Sequence, residues 1–207
     1  MARTTLPAAW RELPRLAGAH VRLEPLAADH AGAMRAALAG DALATLRYTY
    51  VPPAADVEVY IASALAAQDA GDCLPFAVLD ARGALVGCTC FYDLHPEVPR
   101  VSIGYTWYAP RAQRTGVNTE TKRLLLGHAF ESLGCISVLF ETSTLNERSR
   151  AAIARLGARQ EGIVRNHKRH SDGTPRDTVI FSIIDSEWQG VKRNLQHKLA
   201  QHGQVSP

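Results

Sequence analysis

A polar loop with a single glycine, Gln113-Arg114-Thr115-Gly116-Val117-Asn118-Thr119, holds the residues of this chain best suited to gripping an anion. A β-rich run, RVSIGYTWY at residues 100–108, leads into it, with Ala109-Pro110 as a turn between them. An amphipathic pattern without proline follows to Gly134 and predicts a helix. The first N–H groups of a helix have no carbonyl one turn back and lie at the positive end of its dipole. A loop of this kind at a helix start therefore suits a phosphate. Arg111 and Arg114 add fixed positive charge beside it. The loop is thus the candidate binder of a phosphate-bearing cofactor. A second polar cluster, Asn146-Glu147-Arg148-Ser149, opens a short helix expected to end at Leu156 with Gly157 as its cap.

Elements must hold these two clusters, and hydropathy patterning supplies them. Residues 1–17, with two prolines and Trp10, read as an N-terminal arm. Residues 20–26 alternate as a strand, and helices are expected over residues 29–39 and 54–70. Strands follow at 74–79 and 85–92, joined by Asp80-Ala81-Arg82-Gly83, then a loop at 93–99 and the strand at 100–108. After the central helix come a strand at 135–142, the helix at 147–156 and a last hairpin, 161–169 with 177–184. A basic helical pattern over 187–202 closes the chain, with Val191, Leu195 and Leu199 every four residues. The order β-α-α-β-β-β-α-β-α-β-β-α mixes hairpins with β-α-β crossovers. It predicts one α/β domain over residues 18–188, with a mixed, mostly antiparallel sheet and helices on both faces. Residues 189–207 read as a basic C-terminal helix and tail, a face for the domain or for a second subunit in a homodimer.

Composition narrows the class. The chain has 207 residues, 46% hydrophobic and 21% charged, enough apolar content for a sizeable core. Its net charge of +3 is spread along the sequence and does not argue for nucleic acid. No apolar run reaches the ~18 residues of a membrane span, and the first residues lack the apolar stretch of a signal peptide. A cytoplasmic protein is the default. Cys88 and Cys90 alternate within a strand and share a face, with no Cys-x-x-Cys and no histidine at ligand spacing. They read as reduced core residues, and no metal is expected.

The two motifs in this order resemble the GCN5-related N-acetyltransferase (GNAT) superfamily, most closely its ribosomal-protein N-terminal acetyltransferase branch. The first looks like the family's Gln/Arg-x-x-Gly-x-Gly/Ala loop. The second is similar to the branch's Asn-x-x-Ser followed by a helix end of Gly-Ala type. Asn118 departs from the pattern, standing where Gly or Ala is usual. Asn tolerates left-handed backbone and is a good N-cap, so it could hold the helix start; it is also bulkier beside a pyrophosphate.

The resemblance implies a fold with a splayed pair of parallel strands, here 100–108 and 135–142, and acetyl-CoA as co-substrate. It implies that pantetheine pairs with Tyr105, Thr106, Trp107 and Tyr108 like an added strand, and that the pyrophosphate meets Gln113 to Thr119. Backbone N–H groups near Trp107 and Tyr108 would hold the oxyanion. Asn146 would bond the pantetheine amide, and Ser149 would protonate the departing thiolate. No tyrosine follows Tyr108, so the tyrosine acid common in the superfamily is missing. The carboxylates that relatives place on the strand and on the later hairpin are missing too. Glu141 and His167 remain as candidate bases, each with the alternative of a solvated surface residue. Arg150 either reaches the cofactor phosphates or is solvated. The acceptor is a primary amine, on a protein N-terminus or a small molecule. A CoA-binding module without turnover, or a transferase for a larger acyl group such as succinyl, is the alternative.

Overall fold

Hairpin turns and two crossovers build a single sheet, seen in a computed structural model that describes residues 6–39 and 51–202. β1 (Leu16–Ala17) and β2 (Val21–Pro25) pair first, then α1 (Ala31–Leu38) and α2 (Val57–Asp69) follow. β3 (Cys73–Asp80), β4 (Leu85–His95) and β5 (Arg100–Tyr108) form a meander. α3 (Gly116–Gly127) crosses over to β6 (Ser137–Ser143); α4 (Glu147–Leu156), β7 (Arg159–Arg169), β8 (Pro175–Ile184) and α5 (Asp185–His202) complete the chain. The strand order is β1-β2-β3-β4-β5-β6-β8-β7. Every neighbouring pair is antiparallel except β5 with β6. The expected α/β order and sheet type are both present. The stretch read as an arm adds β1 and buries Trp10, and β4 runs on into the expected loop. No helix among the described residues is long and apolar enough to cross a membrane.

Side-chain alternation divides the core between the two faces of the sheet. On one face Val101, Ile103, Val138, Phe140 and Phe181 pack with Leu125 of α3, Ile153 of α4 and Leu195 of α5. On the other, Cys88 and Trp107 pack with Met34 of α1 and Ile61 of α2. Cys88 and Cys90 are buried free thiols, and burial raises both.

The parallel pair is short. Arg100, Val101 and Ser102 face Ser137, Val138 and Leu139, and the ladder stops there. Beyond it β5 bulges against β4: Cys88 faces Trp107 while Cys90 faces Gly104, and Tyr105 takes a left-handed φ of 51°. A bulge adds one unpaired residue and bends its strand, so β5 turns away from β6 over its second half.

The start of α3 is tied to β2 by one buried side chain. Glu120, 3% exposed, accepts hydrogen bonds from the N–H groups of Ala19 (3.1 Å), His20 (2.5 Å) and Val21 (2.9 Å). Gly18 is required beside it, because a Cβ there would lie 2.2 Å from Glu120 Cδ. Glu120→Ala is expected to cost ~3 kcal/mol or more, since it strands buried donors that had a charged acceptor. Gly18→Ala should destabilise through the same contact. Urea unfolding checks both, and wild-type stability in either variant would refute the account.

Candidate active site

The parted strands open a cleft of about 950 Å³ that runs through the sheet. One wall is the second half of β5, Ile103 to Tyr108; the other is Phe140, Glu141 and Thr142 of β6. Where the ladder has ended, the β5 edge can pair with an extended ligand as with an added strand. The tyrosine pair and aromatic run predicted from sequence are therefore in the wall: Tyr105, Thr106, Trp107 and Tyr108 all line it.

One mouth opens on the face that carries α3 and α4. Gln113, Arg114, Asn118, Asn146, Arg148 and Ser149 line it. Asn118 is not the cap. Thr115, in extended conformation, is the N-cap, and its Oγ1 accepts from the Val117 N–H at 3.3 Å while donating to the Ala112 carbonyl at 2.7 Å. The left-handed residue is Arg114, with φ 62°. Asn118 thus sits inside the first turn and faces the cleft. Its N–H and that of Gly116 have no helical carbonyl one turn back. Gly116 itself faces away: a Cβ there would meet the His20 ring at 3.1 Å. Thr115, Gly116, Val117 and Thr119 shape the helix start rather than line the cleft.

The arginines divide in a way sequence could not show. Arg111 donates to the Leu85 carbonyl at 2.8 Å and fixes the loop to β4. Arg150 donates to the Thr144 carbonyl at 3.2 Å and lines a separate shallow groove, not this cleft. Arg114, Arg148 and Arg155 line the cleft. Gln113 is a clasp: its Nε2 donates to the Tyr108 carbonyl at 2.9 Å and its Oε1 accepts from Arg148 at 2.6 Å, joining the end of β5 to α4. Asn146 caps α4, its Oδ1 accepting from the Ser149 N–H at 3.0 Å. The capping fixes Ser149, half-buried, at the cleft wall.

The other mouth opens on the α1 and α2 face. Phe91 and Phe140 belong to the α3-side core, so their neighbours Tyr92 and Glu141 project to the opposite face. Lys168 Nζ lies 2.5 Å from Glu141 Oε2 and 5.9 Å from the Tyr92 ring centroid. Burial, then the Glu141 charge, push the Tyr92 phenol far above its usual range. His167 is exposed on β7 and is not part of this cleft. β7 bulges between Val164 and Lys168, with Asn166 at φ 49°, and beyond the bulge Lys168, opposite Arg176, reaches Glu141 while its neighbour His167 points the other way.

Lys122 is a cleft residue that the sequence reading missed. It is 6% exposed, and its Nζ donates to Thr106 Oγ1 at 2.7 Å and to Thr89 Oγ1 at 3.4 Å. Burial lowers its pKa to about 7. It stands one turn beyond Asn118, on the same side of α3, and that i, i+4 spacing was the available signal. Polar residues on the apolar stripe between Val117 and Leu125 likewise pointed to Glu120.

The size, the open strand edge and the unpaired amides beside Arg114 fit a long ligand with a phosphate at one end. Known proteins share the fold and part of the sequence. YdaF of Bacillus subtilis strain 168, provisionally named a ribosomal N-acetyltransferase, is 33% identical over 110 residues, 53% of this chain and 59% of that one. The chain thus spans little more than half the length of that relative. The crystal structure of a GCN5-related N-acetyltransferase from Brucella melitensis superposes with a TM-score of 0.86 at 33% identity, covering 94% of this chain and 89% of the other. Mycobacterium smegmatis RimJ, solved in complex with CoA-disulfide, shares the fold with a TM-score of 0.72 at 22% identity, over 88% of this chain and 89% of its own. The Acetyltransferase (GNAT) domain profile fits residues 20–159, and the chain belongs to that acetyltransferase family.

Proposed function

We propose that this chain transfers an acetyl group from acetyl-CoA to a primary amine by direct attack, the amine belonging to a protein N-terminus or a small molecule. The observation that carries the reading is the ladder of β5 and β6, which ends at Ser102 and Leu139 above the start of α3. Acetyl-CoA would supply an activated thioester carbonyl and a thiolate leaving group. Residues 104–108 would hold the pantetheine arm along their free edge, and Arg114 with the first amides of α3 would hold the diphosphate. Main-chain N–H groups near the β5 bulge would face the carbonyl oxygen and steady its developing charge.

Ser149 is the hydroxyl set to hydrogen-bond the departing sulfur, since the Asn146 cap fixes its backbone at the cleft wall. An N-terminal amine has a pKa near 8, so roughly a tenth is neutral at pH 7 without help from the protein. Glu141, the carboxylate of the acceptor mouth, is held through Oε2 by Lys168, which favours its ionised form there. Lys122 adds a cation that changes charge near neutrality beside the bulge.

Three measurements test this reading. Asn118→Glu should weaken CoA binding about tenfold or more by calorimetry while keeping the fold, because a first-turn carboxylate favours the helix and repels a phosphate. Unchanged affinity would put the diphosphate elsewhere, and CoA binding that no amine converts to thiol release would make the chain a binding module. Ser149→Ala should lower kcat by ~100-fold with CoA affinity unchanged; a wild-type kcat removes Ser149 from the chemistry. Lys122→Met should raise stability on the order of a few kcal/mol at neutral pH and below. There Lys122 is charged in folded and unfolded chains alike, and its burial costs in full. As pH rises from about 7 towards 10.5, the folded chain has shed the proton and the unfolded chain has not, so the advantage of Met fades. A pH-independent gain in unfolding experiments would contradict the lowered pKa.

A further inference from the structure

The acceptor mouth carries a charge that the fold does not use. Lys168 on β7 and Arg176 on β8 stand directly opposite each other, and like charges in that position destabilise a sheet. Lys168 is compensated by Glu141 at 2.5 Å. Arg176 is not. It lines the cleft, its Nε is shut off from water, and among the described residues its guanidinium makes no hydrogen bond or ion pair. Such a donor is costly to bury unpaired. The hairpin nevertheless holds it in place: the Asn166 N–H donates to Asp177 Oδ1 at 2.8 Å, locking the bulge beside it. With Glu141 balancing Lys168, the mouth retains the positive charge of Arg176.

We propose that Arg176 binds an anionic group of the acceptor, so that the substrate is an amine with a carboxylate a few bonds away. The inference rests on the transferase reading above and narrows its substrate class. A guanidinium presents a planar fork of donors that matches a carboxylate with two parallel hydrogen bonds. Tyr92 and Tyr105, edge to face at 5.1 Å, line the same cleft. A polyamine would bring a second cation to a site already in positive excess, and is disfavoured. The carboxylate can come from an acidic first residue of a peptide or from a free amino acid.

The test measures binding and turnover on the whole chain with CoA or acetyl-CoA present. One arm compares the peptide amides Glu-Ala-Ala and Gln-Ala-Ala, a second compares alanine with alaninamide, and spermidine is run beside them. In at least one arm the anionic member should bind about tenfold more tightly than its neutral partner, with the difference in KM rather than kcat. That arm identifies the source of the carboxylate. Arg176→Gln should erase the preference and Arg176→Lys should restore part of it. Arg176→Met keeps the packing of the stem and serves if the Gln variant fails to fold. Equal binding of both members in both arms, tighter binding of spermidine, or a preference that survives Arg176→Gln would overturn the inference. Thiol release separates the two claims: if no amine is turned over, the transferase reading falls, while an Arg176-dependent preference in binding still upholds the anion site.

Discussion

The structure depends on a parallel ladder that is not allowed to finish. β5 and β6 share three register pairs and then diverge, which leaves main-chain donors and acceptors without their ladder partners. Unpaired groups of this kind are costly when buried. The chain supports the divergence on three sides. The bulge at Tyr105 bends β5 away, the Gln113 clasp satisfies the Tyr108 carbonyl and reaches Arg148, and Glu120 anchors the helix that starts beneath. The remaining free edge is what a pantetheine arm can complete. Binding would then replace interactions that folding left unmade, and a preformed strand edge loses little conformational freedom in doing so.

Charge is sorted along the cleft. The α3-side mouth combines helix-start amides with Arg114, Arg148 and Arg155, a setting for a phosphate-rich ligand. Among the described residues the mouth on the α1 and α2 face has fewer cations, and one of them, Lys168, is already paired. Lys122 lies between, its nearest polar partners two threonine hydroxyls. Other titratable groups near it, Cys90 and Tyr108, are held protonated by burial. The described charges of the cleft thus stand mainly at its two mouths, with Lys122 between them.

Much of this was readable in the sequence because it rests on periodicity and on local turn chemistry. The strand at Arg100–Tyr108 and the helix at Glu147–Leu156 were read with their observed limits, since Pro110, Asn146 and Gly157 punctuate them. Gly157 does take the left-handed cap conformation, with φ 105°. The polar loop also lies where the helix begins. What could not be read is any feature made by two distant segments. Arg111 looked like a phosphate ligand until β4 supplied its carbonyl. Asn118 looked like a cap because the extended backbone of Thr115 is not a property of composition. His167 was a candidate base because it stands on the hairpin where relatives place a carboxylate, and only the strand register shows that it points away from the cleft while Lys168 reaches Glu141. Lys122 was passed over because its i, i+4 spacing from Asn118 marks a shared side of the helix but not burial.

The β7–β8 hairpin shows how one irregularity can answer two demands. β7 is an edge strand, exposed along most of its length. Such strands invite pairing with other chains unless charge or a bulge blunts them. Arg165 and Lys168 supply the charge, and the bulge between Val164 and Lys168 removes the flat template. If blunting the edge were the whole purpose, the charges would all face solvent. Instead Lys168, opposite Arg176 beyond the bulge, reaches across to Glu141 while its neighbour His167 stays outside. Lys168 then neutralises the carboxylate of Glu141. With that carboxylate engaged by β7, the Arg176 guanidinium on the facing strand is left, among the described residues, without a partner on the same side of the sheet.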